Sequence, residues 1–128
     1  MGEFVECVQG LGEASAYLEF PVVSGNVSFY NQTKDIGIKP TPVIGGVGLI
    51  KDYQDMVTMD LKETDNILLV IGKTEGHLDQ SLFARDILNE KNGPPPEINL
   101  FNEKNNGETI LKLIDKKFIK SAHDVSLG

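Results

Sequence analysis

The chain has 128 residues, the length of one ordinary domain, and could bury roughly two-thirds of its unfolded surface. Hydrophobic residues make up 40% and charged residues 24%, a balance typical of soluble globular proteins. The formal net charge of −7 disfavours nucleic acid and anionic membranes as partners. Any bound phosphate must therefore be held locally, by backbone N–H groups or through a metal ion.

Cysteine content and the N-terminal residues indicate the cellular compartment. The single cysteine, Cys7, excludes an internal disulfide and a cysteine metal cluster, and its apolar surroundings predict a buried, unreactive thiol. No apolar run approaches the ~18 residues that a membrane span needs. The first residues lack the basic start and apolar core of a secretory signal. These features predict a cytoplasmic protein that binds no membrane.

The first predicted element is a helix over 3–18, because apolar residues recur there at steps of three to four. The stripe consists of Phe4, Val5, Val8, Leu11 and Leu18. Gly10 and Gly12 each weaken this helix by up to ~1 kcal/mol relative to Ala, unless they allow close packing on a sheet. Pro21 ends the helix, and residues 22–23 predict a short strand.

Two apolar runs predict buried strands further along the chain. Residues 31–42 are polar and end in Pro-Thr-Pro, which predicts an extended loop. The runs VIGGVGLI (43–50) and ILLVIG (67–72) lack helical spacing, which favours strands buried on both faces. The glycines of the first run predict places where another backbone or a helix comes close.

The remaining elements are two helices and a last strand. Residues 81–91 carry an apolar stripe typical of a helix, which the run NGPPP (92–96) ends. A third helix is predicted over 102–116, with Ile110, Leu111, Leu113 and Ile114 facing inward. A strand follows at 118–119. This mixture predicts an α+β or mixed α/β fold with a seam near 51–65.

The sequence SGNVS (24–28), at the end of the predicted strand, could carry chemistry. Gly25 would let a phosphate approach the main chain, where N–H groups can form an anion site. The Asn26 carboxamide oxygen suits Mg²⁺, and the Ser28 hydroxyl can bond to a substrate. A plain turn with Ser28 in solvent explains the same residues, and spacing alone leaves both interpretations open.

The other constellations are weaker. The run GGVG (45–48) lacks the Lys-Ser/Thr of a phosphate-binding P-loop, which favours a strand interior. His77 has no spaced partner, which indicates an exposed loop histidine. The pair His123-Asp124 fits an oriented imidazole, a weak metal pair or a structural contact.

Taken together in order, three segments resemble one family. The segments PVVSGNVSFYN (21–31), PTPVIGGVG (40–48) and SAHDVS (121–126) closely resemble phosphoribosylformylglycinamidine synthase, the synthetase of de novo purine synthesis. The family has two tandem halves, each like aminoimidazole ribonucleotide synthetase. The resemblance places residues 1–62 at the end of a ferredoxin-like sheet domain of the second half. It places 63–128 at the beginning of the α/β domain that follows. Leu127 departs from the acidic residue that is usual there.

The resemblance also implies a reaction. ATP activates the formamide oxygen of formylglycinamide ribonucleotide as an iminophosphate, and glutamine-derived ammonia displaces the phosphate to give formylglycinamidine ribonucleotide. The implied cofactors are ATP and Mg²⁺, and the implied partners are a glutaminase subunit and a small accessory subunit. Matched positions imply that Gly25 contacts ATP, Asn26 binds Mg²⁺ and Ser28 contacts substrate. The family's catalytic groups belong to the other half, so His123-Asp124 would lie near an auxiliary nucleotide site.

Two other readings remain open. Because the family's active site is shared among domains, these 128 residues alone are expected to be inactive, as a non-catalytic α/β packing module or a weak nucleotide-binding module. The third reading is a generic α/β binding domain whose motifs are accidental.

Overall fold

A computed structural model describes residues 2–126. Its elements are α1 (Gly2–Tyr17), β1 (Gln32–Thr33), β2 (Ile36–Gly37), a 3₁₀ turn (Tyr53–Asp55), α2 (Leu82–Asp86) and α3 (Leu100–Asp115). The chain forms two compact units, the first ending at Gly48 and the second beginning at Leu49. The predicted mixture of helix and sheet is confirmed in this coarse form. The layout of a ferredoxin-like domain over 1–62 followed by an α/β domain over 63–128 stays a prediction.

Helix α1 confirms the predicted helix over 3–18, with a stripe that differs in part. Its half-buried residues again recur at steps of three to four; they are Phe4, Cys7, Leu11, Ala14 and Ser15. Val5, Val8 and Leu18, which belong to the predicted apolar stripe, are exposed. A Cβ added at Gly10 or Gly12 would meet nothing within 4 Å, so neither glycine marks a close approach in the described chain.

The predicted strands of the first unit are wrong. Residues 22–23 and 43–48 have no strand hydrogen bonding, and Val47 is 95% exposed. The described pairing is instead a hairpin of β1 and β2, with Gln32 opposite Gly37, inside the predicted loop 31–42. A buried strand needs a hydrogen-bonded neighbour and a covering layer. The described residues of this unit supply no such neighbour to 43–48 and cover it only at Gly46.

One glycine of that apolar run does mark a close approach. A Cβ added at Gly46 would lie 3.1 Å from Cζ of Phe20, so the aromatic ring covers the backbone there. The same construction at Gly45 and Gly48 meets nothing within 4 Å. A close neighbour is therefore present at one of the three glycines, but it is a side chain, and the predicted approach of another backbone or a helix is wrong for the described residues.

The predicted strands of the second unit are wrong as well. Residues 67–72 are exposed and unpaired among the described residues, and Gly72 has a φ of 121°. Residues 118–119 form no strand; one isolated parallel bridge instead pairs Thr58 with Ser121. A single bridge cannot bury an apolar run, which explains why these runs stay on the surface.

Helix α2 begins where the sequence predicts and ends early. The Ser81 hydroxyl accepts a hydrogen bond from the Ala84 N–H at 3.1 Å, which caps the first turn. Asn89 then has a φ of 56°, which continuation of the helix does not allow. The predicted extension to 91 is therefore wrong. Ala84, 2% exposed, is the one buried hydrophobic residue among residues 2–126.

At the end of α2 two adjacent side chains form a double contact. Arg85 Nε and Nη2 donate to the two carboxylate oxygens of Asp86 at 2.7 and 3.0 Å. These hydrogen bonds, aided by the opposite charge, hold the pKa of Asp86 below its ordinary value. They also raise the pKa of Arg85.

Helix α3 confirms the third predicted helix. The Asn99 carboxamide oxygen accepts from the Asn102 N–H at 3.0 Å and caps its start. Ile110, Leu113 and Ile114 are half-buried as predicted, whereas Leu111 is exposed, contrary to prediction.

A loop clamp joins the segment before α2 to the proline-rich segment after it. Gln80 Nε2 donates to the Gly93 carbonyl at 2.7 Å, and His77 Nε2 lies 3.1 Å from the Pro94 carbonyl. Gly93 has a φ of 115° and faces the Asp79 side chain. We call residues 77–80 with 93–94 the loop clamp. His77 is exposed, as predicted, and its ring also has a backbone partner in the Pro94 carbonyl.

Candidate functional site

The segment 24–28 is an exposed, irregular stretch between α1 and β1. The Phe29 ring follows directly and packs on the Phe4 ring of α1, with 5.2 Å between centroids and 57° between planes. Asn31 Nδ2 donates to the Ser28 carbonyl at 3.4 Å. One end of the segment is thus tied to α1, while residues 24–27 remain open to solvent.

Gly25 has no structural reason to be glycine within the described chain. Its φ is not positive, and an added Cβ would meet nothing within 4 Å. Other glycines are explained by their surroundings: Gly93 has a positive φ, and Gly46 lies under an aromatic ring. At Gly25 the missing side chain leaves bare main chain on an open surface, which is what a closely approaching ligand requires.

Asn26 and Ser28 present unused polar groups beside that glycine. Among residues 2–126 neither the Asn26 carboxamide nor the Ser28 hydroxyl has a hydrogen-bond partner, and both residues are exposed. The described residues contain no backbone hydrogen bond that would close a turn at Gly25-Asn26. These two side chains can therefore bind an external group without breaking an internal bond.

An open depression lies beside the residues that precede this segment. It has a volume of about 570 Å³ and is lined by Gly12, Ser15, Ala16, Glu19, Pro21 and Val22. The sequence patterns did not predict this depression. Its signal was the small residues Gly12, Ser15 and Ala16, which share one helix face at steps of three and four.

The His123-Asp124 pair is formed in the second unit. His123 Nδ1 lies 3.2 Å from Asp124 Oδ1, with the two side chains 56% and 82% exposed. The main chain just before it is fixed: the Ala122 N–H donates to the Thr58 carbonyl at 3.1 Å. The structure thus brings His123 and Asp124 together, while Gly25, Asn26 and Ser28 belong to the other unit.

Several further expectations concern metals, membranes and the last residues. Within 2–126 no three His, Cys, Asp or Glu side chains converge as a metal site. In the same residues no helix has the length and apolar character to span a membrane. Cys7, predicted to be buried, is half-buried on the inner side of α1. Leu127 lies outside the described residues.

Comparison with known proteins gives close relatives along the whole chain. It is 97% identical over 128 residues to phosphoribosylformylglycinamidine synthase subunit PurL of Pelagibacter ubique (strain HTCC1062), of which it spans 18%. It is 48% identical to the PurL subunit of Azorhizobium caulinodans and 45% identical to that of Bartonella bacilliformis, in each case over 128 residues and 17% of the relative. No family profile matches the chain. No solved structure matches it either.

These identities confirm the resemblance that the three sequence segments indicated. The chain corresponds along its whole length to a segment of PurL subunits, and spans less than a fifth of the relatives named above.

Proposed function

We propose that this chain is a segment of an ATP- and Mg²⁺-dependent ligase that converts formylglycinamide ribonucleotide to formylglycinamidine ribonucleotide with glutamine-derived ammonia. In this proposal Gly25 contacts ATP, Asn26 binds Mg²⁺ and Ser28 contacts the ribonucleotide substrate. The observation that carries it is the open segment 24–28, where Gly25 bares the main chain and two polar side chains have no partner among residues 2–126. The names of the relatives support the reaction class.

The residues present fit a shared metal site rather than a complete one. Mg²⁺ prefers octahedral oxygen coordination, usually one or two protein ligands completed by phosphate oxygens and water. The exposed Asn26 carboxamide can supply one neutral oxygen, and no acidic cluster stands beside it among the described residues. When bound, the metal would neutralise phosphate charge during phosphoryl transfer. Asn26 would hold the metal ion in position, and the main chain at Gly25 would lie against the phosphates.

The proposed partners are the glutaminase and small accessory subunits of a synthase complex. The word "subunit" in the names of the relatives supports an assembly, and the net charge of −7 favours partners other than nucleic acid. His123 and Asp124, joined at 3.2 Å, are proposed to lie at an auxiliary nucleotide site in the second unit.

Substitution of Asn26 tests the proposal. In the full-length P. ubique relative, Asn26→Ala at the matching position should raise the Mg²⁺ concentration needed for half-maximal amidine formation at least about tenfold, since even outer partners of a metal contribute that much. Asn66→Ala is the matched control, because Asn66 Nδ2 donates only to the Glu63 carbonyl at 3.5 Å. Unchanged Mg²⁺ dependence for Asn26→Ala would favour accidental motifs.

A second candidate applies to the 128 residues alone, which we expect to form a non-catalytic module. Ala84 is the one buried hydrophobic residue described, and a shared active site cannot form on so little enclosed structure. Purified chain supplied with ATP, Mg²⁺, ammonia and formylglycinamide ribonucleotide should form no amidine above the rate without protein. Turnover above that background would refute the hypothesis that the 128 residues alone are a non-catalytic module.

A further inference from the structure

We propose that Ser121 is a positioning residue that fixes the main chain carrying the His123-Asp124 pair to residues 58–60. An isolated parallel bridge pairs Thr58 with Ser121. The Ser121 hydroxyl donates to the Asp60 carbonyl at 2.5 Å, and the Ala122 N–H donates to the Thr58 carbonyl at 3.1 Å. We call these two hydrogen bonds the Ser121 anchor.

The two hydrogen bonds act on successive residues and reach acceptors two residues apart. The chain bends at Met59 and Asp60, and the Thr58 and Asp60 carbonyls are the two acceptors. Ser121 and Ala122 are each fixed by one of them, immediately before His123. Thr58 and Ala122 are half-buried, so water has reduced access to the bond between them, whereas the Asp60 acceptor of the Ser121 hydroxyl is exposed.

The segment that accepts these bonds is braced by its own side chains. Lys62 Nζ donates to Thr58 Oγ1 at 2.5 Å and lies 3.6 Å from Asp60 Oδ2. Lys120, the residue before Ser121, pairs with Glu63 at 2.5 Å. Exposed ion pairs of this kind contribute little on their own, so the Ser121 anchor carries most of the constraint.

The consequence concerns the direction in which the His123 ring leaves the main chain. The ring and the Asp124 carboxylate are largely exposed, and within residues 2–126 the side chains have only one another as polar partners. Their position therefore depends on the backbone that carries them. Without the Ser121 hydroxyl, only the Ala122 N–H bond would constrain that backbone from the 58–60 side.

The first test measures order without any ligand. In the 128-residue chain, ¹⁵N relaxation of the His123 backbone and ring should show increased motion in Ser121→Ala, and Ser121→Thr, which keeps a hydroxyl donor, should restore the wild-type values. Ser126→Ala is the matched control, because that exposed hydroxyl has no partner among the described residues. Glu63→Gln, which weakens the flanking ion pair, should change the same signals in the same direction by less.

The second test measures binding and rests on the proposed auxiliary site. In the full-length P. ubique relative, Ser121→Ala should weaken Mg·ATP binding at the auxiliary site by about 3- to 10-fold, the usual range for one neutral hydrogen bond, with Ser121→Thr restoring it. If wild-type protein binds no Mg·ATP there, the auxiliary site fails while the relaxation result still decides the anchor. The anchor itself is overturned if Ser121→Ala leaves His123 as ordered as in the wild type, or if Ser121→Thr is as disordered as Ser121→Ala.

Discussion

Replacing Gly93 with alanine should open the loop clamp in front of helix α2. The residue has a φ of 115°, a conformation that a side chain rarely tolerates. An alanine Cβ would also lie 2.5 Å from Asp79 Cγ and 2.7 Å from Asp79 Cβ. Because the Cβ contact stays whichever rotamer the carboxylate adopts, the clash requires movement of the backbone itself.

Gly93→Ala has two energetic costs, backbone strain at position 93 and a weakened hydrogen bond from Gln80. Holding a non-glycine residue in such a conformation costs about 1–3 kcal/mol. Backbone movement also lengthens the 2.7 Å hydrogen bond from Gln80 Nε2 to the Gly93 carbonyl. Loss of that bond costs about 0.5–1.5 kcal/mol. We expect Gly93→Ala to favour clamp opening by about 1.5–4.5 kcal/mol, which is a factor on the order of 10 to 2,000.

Amide hydrogen exchange followed by NMR measures this opening. The Ser81 N–H, which donates to the Leu78 carbonyl at 3.2 Å, should exchange faster in Gly93→Ala. Gly10→Ala is the control: it introduces no contact within 4 Å and should stabilise α1 by up to ~1 kcal/mol. Adding Asp79→Gly to Gly93→Ala should remove the clash and leave the backbone strain, so exchange should slow only in part. Unchanged exchange at Ser81 in Gly93→Ala would refute the reasoning.

Three further predictions concern α2 and the exposed apolar run. Ser81→Ala should destabilise the first turn of α2 by about 1 kcal/mol, seen as faster exchange of the Ala84 N–H, while Ser81→Asp should preserve it. Arg85→Gln should raise the pKa of Asp86 toward its ordinary value in a ¹³C carboxyl titration. Since the folded pKa is the lower one, this pair stabilises the chain above the ordinary carboxyl range, and that contribution disappears as pH falls through the folded pKa. Val47→Lys, at a residue 95% exposed, should reduce binding of a hydrophobic dye with no loss of amide protection; loss of protection would show that Val47 is buried.

The helices could be predicted from the sequence because their causes are local. Helices α1 and α3 follow from apolar spacing. The Asn99 cap that begins α3, ahead of the predicted start at 102, comes from the structure. The early end of α2 could not be predicted, because the apolar spacing of residues 81–91 carries no information on the positive φ of Asn89. The strand predictions were wrong for a different reason. An apolar run shows only that burial would be favourable, whereas the segments that would pair with it and cover it lie elsewhere in the chain.

The candidate site, like the fold, could be predicted from the sequence only in part. Gly25, Asn26 and Ser28 could be identified as polar, glycine-containing chemistry from spacing, and more firmly from the resemblance. Their lack of internal partners could not be read from the sequence, since the alternative turn would have used the same residues. The hydrogen bonds from Ser121 to Asp60 and from Ala122 to Thr58 could not be predicted either, because they join segments about 60 residues apart for which no pairing was predicted.

The open segment at Gly25 has a consequence for the timing of binding. Backbone that is unrestrained before a ligand arrives loses about 1–2 kcal/mol of conformational freedom per residue when it becomes ordered. A ligand held there gives up part of its contact energy to that ordering, so its affinity falls and its release quickens. The tie of Phe29 to Phe4, at 5.2 Å, limits the loss by restraining one end in advance. A binding segment that is restrained at one end only is suited to a ligand that is released after each turnover rather than one that stays bound.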